Sequence, residues 1–367
     1  MIDHGSHSML APARRAHVLS ELDRRGVVRS SQLIEELGVT PVTLRRDLAQ
    51  MEAEGLLVRI HGGAIPPVVD TEEPPASSIS VTGRKLAVLV PALNYYWPGI
   101  VRGMEQEARR RGVELLVRAA SYTLQDERPI LERFVTQEGV DGLLVAPNSD
   151  TPHTQDVIQW LADCEVPSVL VEREGVVQPG NEPVESVTTD HAMGAILAAH
   201  HLASLGHRTV GLVISRDSPT SRKITRGWDV ACAELGLTPM QHFESFLPDR
   251  SSPEFSAAVD AALDTAIERG TTALLVHPDP EAMAFADQAV ARGLSVPDDL
   301  SIIAYDDEVA AVFTPPLTAV RPPREALGAA AVDLLLRRIE DPARPVHRVT
   351  ISPALKVRAS TAPVGGA

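Results

Sequence analysis

The chain has 367 residues, 44% of them hydrophobic, and a formal net charge of −15. That length calls for two or three domains, and the absence of an apolar run of 18 or more residues excludes a helical membrane span. Only two cysteines occur, Cys164 and Cys232, which excludes a disulfide framework and fits small buried side chains in a reducing compartment.

Residues 1–9 lack the basic-then-apolar pattern of a secretory signal and read as a leader or tag remnant, so a cytoplasmic location is expected. The charge is unevenly spread. Residues 1–64 hold eight Arg against eight Asp and Glu, so the whole −15 falls on the remainder. An acidic bulk repels nucleic acid, so any DNA contact has to come from arginines clustered in the N-terminal part.

Residues 10–64 read as three short helices and a β-wing. Val18, Leu19 and Leu22 give the first an apolar face. Ser30 is a plausible N-cap for a second, with Leu33, Ile34 and Leu37 inward. Thr40 caps a third and Pro41 takes its first position. Leu44, Leu48 and Met51 line one side of that third helix, and Thr43, Arg45 and Arg46 lie on the other. Two helices about three residues apart, the second with exposed arginines near its start, is helix-turn-helix geometry. Arginine there can pair bidentately with guanine, and the first-turn amides can meet a phosphate. Asp47 reads better as one half of an internal ion pair. Leu56 to Ile60 followed by His61-Gly62-Gly63-Ala64 looks like a small hairpin.

These residues closely resemble the DeoR-type DNA-binding domain. The matching stretches are Thr40-Pro41-Val42-Thr43-Leu44-Arg45-Arg46-Asp47-Leu48, and Glu54-Gly55-Leu56-Leu57-Val58-Arg59-Ile60-His61-Gly62-Gly63-Ala64. The resemblance implies that Arg45, Arg46, Arg59 and His61 face double-stranded DNA, with Thr40 and Thr43 at the helix start.

Residues 65–84 hold four prolines, three acids and a serine-rich stretch without helix or strand period, the composition of a semi-extended linker.

From 85 to 361 the chain repeats an apolar run, a polar loop and an amphipathic helix. Strands are predicted at 86–91, 114–118, 142–147, 168–171, 209–214, 273–277 and 301–305. Helices are predicted at 98–112, 126–138, 154–164, 191–204, 221–236, 254–269, 280–292 and 323–340. Continuous apolar strands between helices indicate parallel sheets covered on both faces, and the number of units suggests two similar lobes. The fold class is therefore a small α+β winged helix-turn-helix followed by a two-lobed α/β domain. In open α/β sheets ligands bind beyond the carboxyl ends of the strands. Those ends carry Asn94, Tyr95, Tyr96 and Trp97, then Asn148, Glu172 and Arg173, then Asp279, Asp306 and Asp307, with Arg222 at a helix start. Aromatic faces suit the apolar face of a sugar, and carboxylates with guanidinium groups suit vicinal hydroxyls. Asp190 reads as a helix cap.

This region resembles the LacI-type sensor domain, which is similar to periplasmic sugar-binding proteins. The pieces that carry the likeness are Asp190-His191-Ala192-Met193-Gly194 through Gly206-His207, Arg226-Gly227-Trp228, Val296-Pro297-Asp298-Asp299-Leu300-Ser301, Tyr305-Asp306-Asp307 and Pro315-Pro316-Leu317-Thr318. It implies that Arg222, Asp279 and Asp306 contact the effector with Glu172 or Arg173 nearby, and that the domain makes a homodimer. The chain departs from the pattern at Pro278 and His191, where the family usually has Asn, and the Pro-rich linker has no counterpart of the LacI-type hinge helix.

No P-loop, G-x-S-x-G, H-E-x-x-H or G-x-G-x-x-G occurs, which argues against an enzyme, and no metal or cofactor is expected. Adjacent His200 and His201 point to different helix faces and, with His207, form no metal constellation. A transport receptor is disfavoured by the DNA-binding head. The expected function is a sugar-responsive regulator, with repression favoured over activation, and with a sugar phosphate or nucleoside left open as effector.

Overall fold

A computed structural model describes residues 14, 15, 17–19, 21, 22, 28–37, 39–53, 57–60, 63–65, 83–120, 126–148, 153–215, 218–239, 248 and 252–365. The chain divides into two compact units, Met1–Ser78 and Ile79–Ala367. The proposed leader and most of the proposed linker lie outside the described residues.

In the first unit, the described residues between 14 and 22 are helical. They are followed by β1 (Val28–Arg29), α1 (Ser30–Leu37), α2 (Pro41–Ala53), β2 (Val58–Ile60) and β3 (Gly63–Ile65). Val18, Leu22, Leu33, Leu37, Leu44, Leu48, Met51 and Leu57 form one buried cluster, so the apolar stripes of all the helices meet. The wing has three strands, because β1 pairs with β3 alongside the predicted hairpin.

The second unit is two lobes, each a six-stranded sheet between helices. In the first lobe β4 (Lys85–Val90), β5 (Glu114–Ala119), β6 (Gly142–Val145), β7 (Ser168–Val171) and β8 (Ser186–Thr189) alternate with α3 (Trp97–Arg111), α4 (Arg128–Thr136) and α5 (Thr154–Asp163). The chain then crosses at Asp190 into the second lobe. There α6 (His191–Ser204), β9 (Thr209–Ile214), α7 (Ser221–Leu235), α8 (Phe255–Glu268), β10 (Ala273–His277), α9 (Asp279–Ala291), β11 (Ser301–Tyr305) and β12 (Thr318–Arg321) follow. It recrosses at Pro322-Pro323 to lay α10 (Arg324–Glu340) and β13 (Arg348–Ile351) on the first lobe. It returns at Ser352-Pro353 for β14 (Ala354–Lys356) at the edge of the second. The strand orders are β13-β8-β7-β6-β4-β5 and, after an edge formed by Thr238–Pro239, β9-β10-β11-β12-β14. All pairings are parallel except β12 with β14.

The seven strands and eight helices predicted for this unit are present, with ends shifted by a residue or a few. The strands β8, β12, β13 and β14 are absent from the sequence prediction. They carry little apolar signal: β8 reads Ser-Val-Thr-Thr, and its buried side chains include three hydroxyl groups. Their extended state is set by neighbouring strands rather than by local periodicity.

Helices α3 and α10, far apart in sequence, cross closely in the first lobe. A Cβ at Gly103 would stand 2.0 Å from the Glu325 carbonyl oxygen, and one at Gly328 would stand 2.0 Å from that of Ile100. Only glycine permits this approach on both sides.

Candidate functional site

The first candidate site is the outer face of α2. Thr40 Oγ1 accepts the Thr43 amide at 3.2 Å and lies 2.9 Å from the Thr43 hydroxyl, so the predicted cap is formed and Thr43 is part of it. Leu44 and Leu48 are buried, whereas Arg45 and Arg46 are exposed side by side. Asp47 turns inward and accepts Arg14 Nε at 2.8 Å, the internal ion pair expected from sequence. Arg59 lies on β2 opposite Ala64, and His61 lies outside the described residues. Two adjacent cations on the exposed face of a capped helix supply what major-groove reading requires.

The second candidate site lies between the lobes at the carboxyl ends of their strands. Here the backbone is strained: Tyr95 (φ 51°), Glu172 (φ 55°), Asp306 (φ 103°) and Asp307 (φ 55°) occupy the left-handed region without being glycine. Such conformations cost about 1–3 kcal/mol each and persist where the surroundings enforce them, often at ligand sites.

Glu172 anchors the first-lobe side. Its Oε1 accepts the Tyr96 hydroxyl at 2.6 Å and the Thr189 hydroxyl at 2.6 Å. Its Oε2 accepts the Thr189 amide at 3.0 Å and faces His191 Nε2 at 3.5 Å. Burial alone raises a carboxyl, but the His191 and Thr189 interactions outweigh it and hold Glu172 at about 2. Arg173 donates to the carbonyls of Pro147 and Glu172, both at 2.9 Å, and lies over the Trp97 ring. Trp97 itself is part of the lobe core. The Asn148 amide donates to buried Glu127 Oε1 at 2.8 Å, and the Asn148 carbonyl accepts the Thr154 hydroxyl.

On the second-lobe side, Tyr305 is fully buried under α6, and its hydroxyl donates to the His191 carbonyl at 3.1 Å. His191 Nδ1 lies 3.2 Å from the same hydroxyl. Asp279 is fully buried. Its carboxylate accepts the amides of Asp307, Glu308, Val309 and Ala310 at 2.7–3.2 Å. Burial lifts it to about 6 although those amides oppose the rise. Its visible work is therefore to hold the loop after β11. That loop presents Asp306, pushed well above the carboxylate range by burial and by the nearby Asp279 charge. Asp306 Oδ2 lies 3.8 Å from His277 Nε2. Asp307 is taken up by Arg321 and Arg358 at 2.6 and 2.8 Å.

Two side chains of the first lobe reach across. The Tyr95 hydroxyl accepts the Asp279 amide at 3.2 Å. Arg324 pairs with Glu308 at 2.6 Å, donates to the Asp306 carbonyl and lies over the Tyr96 ring at 5.6 Å.

Of the residues singled out in sequence, Tyr96, Trp97, Asn148, Glu172, Arg173, Asp279 and Asp306 gather at these strand ends. Asn94 and Arg222 are exposed. Thr189, His191, His277, Tyr305 and Arg324 also belong to the network and are not among the site residues expected from sequence. His277 and Tyr305 each end a predicted strand, so strand-end logic reaches them. Arg324 arrives through a lobe crossing and carries no local signal. Asp190 caps α6 as expected, accepting the Met193 amide at 2.9 Å.

A helix-turn-helix head joined to a two-lobed α/β domain, with a polar network where the lobes meet, defines a ligand-responsive DNA-binding protein. Residues 14–67 match the DeoR-like helix-turn-helix domain, and residues 199–361 match the periplasmic binding protein-like domain. The HTH-type transcriptional repressor PurR of Aliivibrio salmonicida is 31% identical over 265 residues, covering 71% of this chain and 76% of that protein. The arabinose metabolism transcriptional repressor of Geobacillus stearothermophilus is 26% identical over 329 residues, covering 87% and 86%. A solved LacI family transcriptional regulator from Enterococcus faecium with bound ribose is 26% identical with a TM-score of 0.60, covering 77% of this chain and all of that one. The chain belongs to the LacI family of transcriptional regulators, and its head is of the DeoR-like kind.

Proposed function

We propose that this regulator represses transcription as a cytoplasmic homodimer and is controlled by a small sugar bound where the lobes meet. It acts by binding alone, without a catalytic step. The observation that carries the reading is the ring formed by Tyr95, Tyr96, Glu172, His191, Asp306 and Arg324, which draws on both lobes and is rich in hydroxyl-matching acceptors and donors. Ribose in the regulator from Enterococcus faecium and the arabinose name of the Geobacillus stearothermophilus repressor support a sugar. Two-fold symmetry places two α2 helices in successive major grooves of a pseudo-palindrome, with Thr40, Thr43, Arg45, Arg46, Arg59 and His61 as the reading set. Effector contacts are assigned to Asn94, Tyr96, Trp97, Asn148, Glu172, Arg173, Arg222 and Asp306, with Asp279 acting through the Asp306 loop. An inducer has to bind the DNA-incompetent state more tightly, and a hundredfold preference corresponds to about 2.7 kcal/mol of coupling.

The test has two stages. Selection from random duplex DNA with the purified protein yields an operator, and a panel of sugars, sugar phosphates, polyols and nucleosides is screened for a rise in melting temperature. A sugar that both stabilises the protein and releases it from the selected DNA is the expected outcome. A hit confined to nucleosides, or one that tightens DNA binding, overturns the sugar-induced repressor.

A further inference from the structure

His277 stands at the carboxyl end of β10 and is 5% exposed, yet its Nδ1 has no hydrogen-bond partner among the described residues. A buried polar atom left unmatched costs about 1–3 kcal/mol, so it calls for an explanation. The groups around the ring say where it lies. Its plane meets Tyr305 edge-on with centroids 5.5 Å apart, and Nε2 is 3.8 Å from Asp306 Oδ2. His191, which begins α6, is close enough to disfavour a charge on it. Asp306 and His191 are the second-lobe members of the inter-lobe ring. His277 therefore borders the second-lobe side of that ring, with Nε2 toward Asp306 and Nδ1 the polar atom left to be matched.

We propose that His277 Nδ1 is a specificity contact of the effector site, exchanging a hydrogen bond with a hydroxyl of an uncharged, polyhydroxylated ligand. The inference rests on the reading of the inter-lobe ring as the effector site. A hydroxyl donates and accepts, so it satisfies either tautomer of a neutral imidazole. Burial keeps His277 neutral by holding it down at about 3. A phosphate oxygen is acceptor-only and charged. It gains no ion pair from His277 and meets the carboxylate of Glu172 and the carboxyl of Asp306 in the same ring, whose cation, Arg324, is already paired with Glu308. The ring thus selects a free sugar over its phosphate ester.

The experiment uses the full-length protein with ribose, arabinose, xylose, glucose, galactose and cellobiose, and the phosphate esters of the monosaccharides, read by thermal shift and then calorimetry. Three variants are compared with wild type. His277→Asn keeps a polar atom near the Nδ1 position, His277→Gln keeps one near Nε2, and His277→Leu keeps neither. The expected result is a free sugar that binds wild type at least about tenfold more tightly than its ester. His277→Asn should stay within about threefold, while His277→Gln and His277→Leu weaken by about tenfold or more. If His277→Leu does not fold, the contrast between Asn and Gln still decides. Equal loss in Asn and Gln, undiminished binding in Gln or Leu, or preference for an ester overturns the proposal with the sugar reading intact. If no sugar or ester shifts wild type, both fall together, and that failure is seen before any variant is made.

Discussion

Replacing Glu172 with Gln keeps the shape of the side chain and removes its charge. In the wild type, three donors converge on the carboxylate and His191 faces it at 3.5 Å. Gln can satisfy these partners only with its oxygen on the Thr189 amide and its NH2 on the Tyr96 and Thr189 hydroxyls, which must turn round to accept, and every one of these bonds loses its charge-assisted character. Holding the carboxyl at about 2 rather than 4.5 corresponds to about 3 kcal/mol in favour of the ionised form. We therefore expect a loss of about 2–4 kcal/mol at pH 7, or about 5–10 °C in the melting temperature of a domain this size. The pH dependence separates charge from packing. A depressed carboxyl contributes its stability above the unfolded value and loses it as pH falls through the folded one. The gap between wild type and Glu172→Gln should be full at pH 7 and less than half as large by pH 3. Thermal unfolding followed by circular dichroism across that range is the assay. A gap under about 0.5 kcal/mol at pH 7, or one that does not shrink toward pH 3, refutes the reasoning.

Arg46→Ala should lose binding to the selected operator and lower the salt dependence of the residual affinity by about one phosphate contact, with sugar affinity unchanged; fluorescence anisotropy at several salt concentrations reads both. Asp47→Ala removes the buried ion pair with Arg14 and should destabilise the head by about 1–3 kcal/mol, measured by urea unfolding. Gly328→Ala drives a methyl against the Ile100 carbonyl, so a loss of about 3 kcal/mol or more is expected in the same assay. His277 titrates at about 3 instead of 6.5, so its contribution to stability is full above pH 6.5 and lost as pH falls from 6.5 toward 3. Asp279, raised to about 6, works in the opposite sense, favouring the fold below about pH 4 and losing that advantage as pH rises through 6. The two slopes oppose each other between pH 4 and 6 in wild type, so a non-titrating His277→Asn, which leaves Asp279 uncompensated, should lose stability more steeply than wild type as pH rises from 4 to 6, which melting curves at half-unit steps measure.

Much of this architecture is written in local pattern. The 3.6-residue period of α1 and α2, the Thr40 cap and the apolar runs at β4, β6, β10 and β11 each specify their element without help from the rest of the chain. The strands β8 and β13 are not legible, because their extended backbone is imposed by the parallel partners at their sides. The effector site is legible to the extent that strand ends are. Glu172 and Asp306 fall directly after predicted strands and were reached by that rule. Asp279 was reached by the same rule, but its buried carboxylate serves four backbone amides, a role that only the position of the β11 loop reveals. Tyr305 and His191 meet across 114 residues of sequence, and nothing in either neighbourhood announces the other.

The recrossing that brings α10 and β13 back to the first lobe sets an order of biosynthesis. When β8 has left the ribosome, the first lobe has five strands but lacks the helix that covers Trp97, Ile100 and Leu144, and it lacks its edge partner β13. Both arrive only after the whole run of residues 190–323 has been made, which takes on the order of ten seconds or more at usual synthesis rates. During that interval the face later covered by Leu327, Ala331 and Leu335 is bare and apolar, while the DNA-binding head, complete by residue 65, is free to fold. A nascent chain of this kind is most exposed to aggregation, and most in need of a chaperone, while its second lobe is being translated.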